Sequence, residues 1–199
     1  MAAVLSEVKM VRELVLKNRS CRRFHQEHKI TPDVLKELID LARLSPSGGN
    51  LQPLKYILSF DEKKNRRIFP YLKWAGYLKD WDGPEEGERP AAYIVMLGDS
   101  EISSNYFWDH GIACQSILLG ACEKGLGGCI FGSVDRDGLK KELDISDRFE
   151  LLMVIALGKP KEKIVLEEVK ENKDIKYWRD ENQVHHVPKR KLSEIIISG

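Results

Sequence analysis

Apolar residues recur at helical spacing in three long stretches of the chain. Residues 6–17 place their apolar side chains on one face, which predicts an amphipathic helix. Thr31-Pro32-Asp33 begins a second predicted helix, because a hydroxyl cap, a proline and an acid suit a first turn. Pro46 ends that helix, since proline disfavours helical backbone in the residue before it. Residues 108–124 are apolar nearly all round, which is typical of a helix in a core or a subunit interface.

Short apolar runs between these helices predict the strands of a sheet. Residues 91–97 and 151–157 are apolar throughout and partly β-branched, as in strands that are buried on both faces. The remaining predicted elements are strands at 54–60 and 129–131 and short helices at 61–68 and 135–143. Few strands interleaved with helices indicate an α+β or mixed α/β layer structure.

The C-terminal segment is mostly polar, unlike the rest of the chain. Residues 161–187 contain too few apolar residues to form a core of their own. We therefore expect this tail to wrap across another surface, with a partner subunit as one candidate. Residues 189–197 are expected to form a last short helix or strand. Residues 74–89 are rich in aromatics, glycine and proline, which predicts a loop or lid.

Composition and charge narrow the class of protein. With 199 residues, 42% of them hydrophobic, the chain fits one soluble globular domain of ordinary size. A net charge of +1 gives no electrostatic reason to expect nucleic acid or an anionic membrane as a partner. The first ten residues make a poor secretory signal, so we expect a cytoplasmic protein with reduced thiols and no metal site.

Several motifs that would identify an enzyme class fail on their context. Residues 125–128 resemble a dinucleotide-binding loop, but they follow a helix and precede a strand, which reverses the required order. The chain contains no P-loop sequence and no nucleophile elbow. Asp109 and His110 could act as an acid–base pair, although such a pair without a nucleophile is more often structural.

Two polar segments have the chemistry of a binding site. Arg19, Ser20, Arg22 and Arg23 follow the first predicted helix, and guanidinium and hydroxyl groups both bind phosphate. A solvated basic turn is the alternative interpretation of this cluster.

The second polar segment, residues 47–53, carries two amide side chains behind a glycine pair. In an extended backbone the spacing of Asn50 and Gln52 puts both amides on one side. Amides offer a donor and an acceptor together, which suits a flavin or pyrimidine edge. A simple polar loop is the alternative.

Taken together, these segments resemble the nitroreductase family. Residues 18–24, N-R-S-C-R-R-F, resemble the family's R-R-S-x-R-x-F opening, and residues 46–53, P-S-G-G-N-L-Q-P, resemble its P-S-x-x-N-x-Q-P-W segment. The central helix from Asp109, the G-L-G turn at residues 125–127 and Gly158-Lys159-Pro160 follow in the family's order. The second of these motifs is the most specific.

The resemblance implies a fold and a cofactor. It implies an α+β protein, with a three-layer α/β/α sandwich around a mixed, mainly antiparallel sheet. Residues 1–199 would form one domain of an intertwined homodimer, with the tail at 161–199 wrapping the partner subunit. FMN would lie at the dimer interface in two equivalent sites, with NAD(P)H as the reductant.

The resemblance also assigns roles to residues near the two ends of the chain. Arg19, Ser20 and Arg22 would hold the phosphate and the pyrimidine side of the flavin. Lys189 and Arg190, which resemble a basic motif in the family's tail, would add phosphate contacts.

Three central segments complete the implied site. Pro46 and Ser47 would reach the flavin from the other subunit, and Asn50 and Gln52 would face the isoalloxazine or order its loop. The backbone at Phe131-Gly132-Ser133 would lie beside flavin N5, where an amide donor can tune hydride transfer. No side chain is needed as an acid or a base, so we assign no catalytic residue.

The chain departs from the family pattern at two positions and in its length. Asn18 stands where the family often has arginine, and Leu54 replaces a frequent tryptophan. Because the chain is short, Trp74, Tyr77 and Trp81 could cover the flavin in place of a longer insertion. Packing beneath a loop is an equally good interpretation of these three aromatics.

The implied activity is ping-pong reduction of a nitroaromatic, a quinone or a similar small acceptor. One alternative is a flavin-dependent dehalogenase or another specialised reductase on the same scaffold, because fold does not decide substrate. A flavin-holding dimer without turnover is the alternative from a different class of protein. The neutral net charge and the lack of a recognised motif disfavour a nucleic-acid binder.

Overall fold

A computed structural model describes residues 2–170 and 174–197, with side chains described from residue 10 onward. The helices are α1 (Ala2–Lys17), α2 (Pro32–Leu44), α3 (Glu62–Ile68), α4 (Asp109–Glu123), α5 (Arg136–Glu142) and α6 (Leu192–Ile195). The strands are β1 (Phe24–His25), β2 (Leu54–Ser59), β3 (Ala92–Asp99), β4 (Gly127–Phe131), β5 (Phe149–Pro160), β6 (Ile164–Glu168), β7 (Trp178–Arg179) and β8 (His185–Lys189).

The main sheet is covered on both faces. Its strands follow the order β1-β5-β3-β2, with β4 also paired to β5, and all of these pairs are antiparallel. Ile94 and Met96 of β3 pack in one core with α2 and α4. Tyr93 and Val95 face the opposite core, which includes Leu139 of α5. This arrangement confirms the predicted three-layer α+β sandwich, and it explains why every residue of β3 is buried.

The predicted helices are confirmed with small shifts at their ends. The Val34 N–H donates to Thr31 Oγ1 at 3.4 Å, so the predicted hydroxyl cap does begin α2. Gly125 has φ +71°, the left-handed conformation that follows the end of α4. Gly120 lets α2 and α4 approach closely, because a Cβ there would lie 2.3 Å from Leu41 Cδ1.

The strands extend beyond their apolar runs. The predicted strand at 151–157 is the buried middle of β5, which continues to Phe149 and Pro160 because those residues pair with β3 and β1. Similarly, β4 begins two residues before the predicted run. Gly128 pairs with Leu157, and a Cβ on Gly128 would lie 2.6 Å from the Ala156 carbonyl oxygen. Hydropathy therefore marks the buried part of each strand, whereas the ladder sets its length.

The tail folds onto its own chain in the described residues. Strands β6, β8 and β7 form a second, three-stranded sheet, in which β6 and β8 are parallel. This sheet contacts the turn after α1 through His185, which is 1% exposed and lies 3.3 Å from Arg22. The sequence predicted that the tail lacks an apolar core, and the contacts of His185 are indeed mainly polar. Wrapping of a partner subunit stays a prediction. In the part of the chain that is described, no helix is long and apolar enough to span a bilayer.

Candidate functional site

The turn after α1 lies against the start of β4. Ser20 bridges Gly128, and the Cys21 N–H donates to the Gly128 carbonyl at 2.9 Å. Burial raises the pKa of the Cys129 thiol, while hydrogen bonding to Arg22 and Ser20 acts in the opposite direction. Ser20 and Arg22, two of the predicted binding residues, are therefore brought together beside β4.

Arg22 is the buried cation of this site, with 8% of its surface exposed. Its Nη1 lies 3.3 Å from His185 Nε2, and its guanidinium carbon lies 4.8 Å from the centre of the Tyr177 ring. Among the described residues, no carboxylate lies within ion-pair distance of the Arg22 guanidinium. A buried guanidinium without a counter-ion is costly, so an anionic or strongly accepting ligand would stabilise this arrangement.

Glu162 closes the cluster from the loop after β5. Its Oε1 accepts hydrogen bonds from the backbone N–H groups of Arg22 and Arg23. Its Oε2 pairs with Arg179 at 2.9 Å, and both side chains are buried. The Arg179 guanidinium lies 4.2 Å from the centre of the Trp81 ring. Because Arg179 already neutralises Glu162, the charge of Arg22 stays unbalanced.

The protonation of His185 follows from this environment. Burial lowers the pKa of His185 to about 4, and the charges of Arg22 and Arg179 act in the same direction against the opposing effect of Glu162. The imidazole is therefore neutral at neutral pH and can accept a hydrogen bond from Arg22.

Sequence reasoning missed the four residues that surround Arg22. They are Glu162, Tyr177, Arg179 and His185, and all lie in the polar tail. The contacts that build this cluster join positions as far as 163 residues apart, so no local spacing could have revealed them. The polar content of the tail is the one signal in the sequence, and it predicts wrapping across another surface.

The other arginines of the predicted cluster point elsewhere. Arg19 Nη2 donates to the Val15 carbonyl at 2.6 Å, at the end of α1. Burial lowers the pKa of the Arg19 guanidinium. Arg23 pairs with Glu88. The structure thus separates Arg19 from Arg22 by side-chain direction, and a phosphate contact by Arg19 stays a prediction.

The predicted segment Phe131-Gly132-Ser133 forms the end of β4 and the turn after it. The Phe131 ring is buried and meets the Trp74 ring edge-on, with 4.6 Å between centroids. Gly132 and Ser133 are exposed. Arg136 donates to the Gly132 carbonyl at 3.0 Å, and the Lys73 N–H donates to the Ser133 carbonyl at 3.1 Å. The Phe131 side chain therefore belongs to the core, and the exposed part of this segment is the turn.

The aromatic loop at 74–89 spans the space between that turn and the tail. Trp74 is 9% exposed and packs against Trp81, so packing beneath a loop describes it better than a cover does. Tyr77 is 49% exposed and meets Tyr177 of the tail, with 4.9 Å between ring centroids. The loop thus contacts β4 through Trp74 and the tail through Trp81 and Tyr77.

The amide-bearing loop is fixed to the beginning of α4. Asp109 is 5% exposed, and its carboxylate accepts a hydrogen bond from Ser47 Oγ at 2.6 Å and one from the Gly48 N–H at 2.8 Å. Ser47 Oγ in turn accepts a hydrogen bond from the Gln52 N–H at 2.9 Å. Asp109 therefore holds the loop in place, which agrees with the structural interpretation of the Asp109–His110 pair. Pro46 precedes this loop and is exposed.

The amide loop is a tight turn and not the extended segment that we expected. Three of its residues have positive φ angles: Gly49 has φ +56°, Asn50 has φ +57° and Gln52 has φ +54°. The expectation of an extended backbone was wrong because three left-handed residues fold the chain back on itself. The turn still brings the two amides together, with Gln52 Nε2 3.2 Å from Asn50 Oδ1.

A pocket of about 260 Å³ lies beside this loop, between α2, β2 and α4. Ser47, Gln52, Tyr56 and Asp109 are among its lining residues. Burial raises the pKa of Tyr56 to about 12, so its hydroxyl keeps its proton at neutral pH.

The two halves of the predicted site lie at opposite ends of α4. The amide loop is fixed at Asp109, where the helix begins, whereas Ser20 and Arg22 lie beside the strand that follows its end. A 15-residue helix is about 20 Å long. One chain therefore does not bring the two halves together at those points.

Lys189 and Arg190 are also apart from Arg22. Lys189 lies four positions after His185 in β8, which is about 13 Å of extended chain. Both basic residues are exposed, and Arg190 lies 3.9 Å from Glu194. Their predicted phosphate contacts stay a prediction.

Known proteins are similar to this chain in sequence and in fold. The family model described as the nitroreductase family matches residues 15–159. The Bacillus subtilis protein MhqN, which has a provisional NAD(P)H nitroreductase name, is 26% identical over 180 residues, covering 74% of this chain and 87% of MhqN. An iodotyrosine deiodinase of Thermotoga neapolitana is 26% identical over 170 residues, covering 77% of this chain and 90% of that protein.

A solved structure agrees with these sequence relatives. An FMN-dependent nitroreductase of Clostridium difficile R20291 superimposes with a TM-score of 0.61 at 21% identity, covering 75% of this chain and 87% of that one. The family model spans well over half of the chain, and the sandwich described above is the fold of that structural neighbour. The chain therefore belongs to the nitroreductase family.

Proposed function

We propose that this protein is an FMN-dependent oxidoreductase that works as a homodimer with two equivalent sites. The observation that carries the proposal is Arg22, a buried cation without a carboxylate partner among the described residues. It lies beside Cys129 of β4, and the exposed turn at Gly132 lies three residues further along that strand. That separation is about 10 Å of extended chain, which suits an elongated three-ring cofactor.

The residues along β4 fit the chemistry of FMN. Arg22 and Ser20 would offer hydrogen-bond donors to the pyrimidine side or to the phosphate. The backbone of the turn at Gly132-Ser133 would border the reactive edge of the ring system. When bound, FMN supplies the redox chemistry by accepting hydride from NAD(P)H and reducing a second substrate in a ping-pong sequence. The protein supplies binding, orientation and electrostatics.

The second subunit completes the site in this proposal. Pro46, Ser47, Asn50 and Gln52 lie at the other end of α4 from Arg22, so they would act on the flavin of the partner. Exposed apolar side chains on α1 and at the beginning of α4 are available for such a dimer. They are Met10, Val11 and Val15 of α1, Phe107 and Trp108 before α4, and Ile112 within it. Trp108 is 80% exposed, which is unusual for a large aromatic side chain outside an interface.

The proposed acceptor is a nitroaromatic, a quinone or a similar small aromatic compound. The provisional name of MhqN supports NAD(P)H as the reductant. The similarity to an iodotyrosine deiodinase favours one specific alternative, which is reductive dehalogenation of a halogenated phenol. Parallel assays of a nitroaromatic, a quinone and a halogenated phenol with NADH and with NADPH would distinguish these activities.

The visible spectrum of the purified full-length protein tests the proposal most directly. We expect flavin absorption bands and one FMN per chain after loading with excess FMN. Stopped-flow mixing with NADH or NADPH should then bleach those bands. A protein that binds no FMN would contradict the whole proposal, whereas bound FMN that neither nucleotide reduces would indicate a flavin-holding dimer without turnover.

A further inference from the structure

Two buried hydrogen-bond donors near Arg22 lack a partner among the described residues. They are His185 Nδ1 and Arg179 Nε, for which no described residue provides an acceptor. His185 is 1% exposed, and the Arg179 side chain is 8% exposed. The two residues are opposite each other in the β7–β8 pair, so one small piece of sheet presents both donors. Buried polar groups are normally satisfied, which makes two such donors at one place informative.

The contacts of His185 determine which of its nitrogens carries the proton. Its Nε2 lies 3.3 Å from Arg22 Nη1. A guanidinium can only donate, so Nε2 accepts that hydrogen bond and the neutral ring carries its proton on Nδ1. His185 is therefore connected to Arg22 through one nitrogen and offers an N–H from the other.

Arg179 is held in a comparable way. Its Nη2 pairs with Glu162 at 2.9 Å, and its guanidinium stacks over Trp81. These contacts fix the plane of the guanidinium and leave the Nε–H unused. Glu162 also accepts the backbone N–H groups of Arg22 and Arg23, so the tail and the turn after α1 form one connected cluster.

We propose that His185 and Arg179 of the tail are cofactor-binding residues, whose Nδ1–H and Nε–H donate to oxygen acceptors of the flavin that Arg22 binds. This inference rests on the proposed function and extends it, because the family resemblance assigned neither residue. Both donors would bind oxygen acceptors near Arg22, and either the pyrimidine carbonyls or the phosphate of FMN could supply these acceptors. The tail then contributes to the site of its own chain.

The test compares flavin binding by two histidine variants of the full-length protein. His185→Phe keeps a ring but removes both nitrogens, whereas His186→Phe changes the adjacent ring, which bonds Glu167 and Asp180 and stacks on Trp178. Titration with FMN should show an affinity roughly 10-fold lower for His185→Phe, as expected for loss of a buried hydrogen bond to a charged or strongly accepting group. His186→Phe should stay within about twofold of the wild type.

Arg179→Lys provides an independent second variant. Lysine keeps a cation for Glu162 but has no counterpart of the Nε–H. We expect FMN binding to weaken about fivefold, with an unchanged folded state by circular dichroism. His185→Gln, which can accept from Arg22 and also donate, should recover part of the affinity lost in His185→Phe.

Riboflavin distinguishes the two possible acceptors. If the acceptors are pyrimidine carbonyls, His185→Phe should weaken riboflavin and FMN equally and lower the reduction potential of the bound flavin. If the acceptor is the phosphate, only FMN binding should weaken and the potential should not change. Either result supports the inference.

Two results would overturn it. FMN affinity within twofold of the wild type in both His185→Phe and Arg179→Lys would show that neither donor reaches the flavin. Equal losses in His185→Phe and His186→Phe would assign the effect to the fold of the tail. A wild-type protein that binds no FMN would instead contradict the proposed function itself, so the two failures are distinguishable.

Discussion

The environment of Arg22 and the amide loop differ in how completely one chain builds them. Around Arg22, the turn after α1, β4 and the tail converge, and the guanidinium is 8% exposed. The amide loop, residues 47–53, is fixed on its inner side by Asp109. The side chains of Asn50 and Gln52 are exposed and contact each other.

The difference indicates two kinds of preparation for binding. The Arg22 end holds a buried cation and two buried donors without partners among the described residues. A ligand with oxygen acceptors would therefore stabilise this end without rearranging it. The backbone of the amide loop has strained conformations at the exposed residues Asn50 and Gln52. Such strain is typical of a segment that binds a ligand or another surface. A homodimer would place the Arg22 end of one subunit against the amide loop of the other.

Arg22→Ala should have the largest effect on FMN binding, because it removes the buried cation of the site. We expect FMN affinity to fall roughly 100-fold, or about 3 kcal/mol, since two charge-assisted hydrogen bonds would be lost. Fluorescence titration measures this effect. The control is Arg43→Ala, an exposed arginine on α2 that should leave the affinity unchanged. Flavin retention equal to that of the wild type would remove Arg22 from the site.

Heterodimers of two variants would test whether the halves come from different chains. Arg22→Ala damages one half and Asp109→Ala the other, so a mixed dimer concentrates both defects in one site and leaves the other intact. Differently tagged chains, co-expressed and purified through both tags, should bind about half as much FMN as the wild type, while both homodimers bind little. If both halves come from one chain, every site in the mixed dimer is defective and flavin binding does not recover.

Asp109→Ala should have the next largest effect, on the stability of the fold. The substitution leaves Ser47 Oγ and the Gly48 N–H without their acceptor, which costs about 2–3 kcal/mol of unfolding free energy. Urea denaturation measures the change. The exposed Asp137 provides a matched control, since Asp137→Ala should change stability by less than about 0.5 kcal/mol. Equal effects in the two variants would show that the loop is not held by Asp109.

The pH dependence of stability should include a contribution from His185 at the Arg22 end. The pKa of His185 is lowered to about 4 in the folded state, so the unfolded chain binds this proton first as the pH falls. The stabilisation is complete above the ordinary histidine pKa of about 6.5 and is lost between about 6.5 and 4.

That loss is at most about 3 kcal/mol, which is the free energy that corresponds to lowering the pKa from about 6.5 to about 4. Other groups also titrate in this range, so the measurement is the difference between the wild type and His185→Phe in urea denaturation at several pH values. Parallel curves for the two proteins would contradict a buried neutral His185.

Gln52→Gly should have the smallest effect, and it separates stability from binding. Glutamine at φ +54° is strained, so glycine should raise the unfolding free energy by up to about 1 kcal/mol. We expect the same variant to weaken FMN binding. Gln183→Gly is the matched control, because Gln183 has φ +61° but lies in the tail outside the amide loop. A loss of stability in Gln52→Gly would show that its side-chain contacts outweigh the strain.

The sequence alone determined the elements and the chemistry of the two segments. Caps, prolines and apolar periodicity act over a few residues, so the helix starts at Thr31 and Asp61 and the buried strand at 91–97 could be predicted. The arginine-serine and amide motifs also indicated the family, because they combine particular polar residue types at fixed spacing.

Tertiary structure decided which of those side chains meet and which do not. It turned Arg19 toward α1, folded the amide loop through left-handed residues, and placed Glu162, Arg179 and His185 around Arg22. Local patterns carry no information about such contacts, because they join residues that are far apart in the chain and depend on the ladder that extends β4 and β5. The polar tail shows this most clearly, since Glu162, Arg179 and His185 are buried with polar partners that no hydropathy pattern marks.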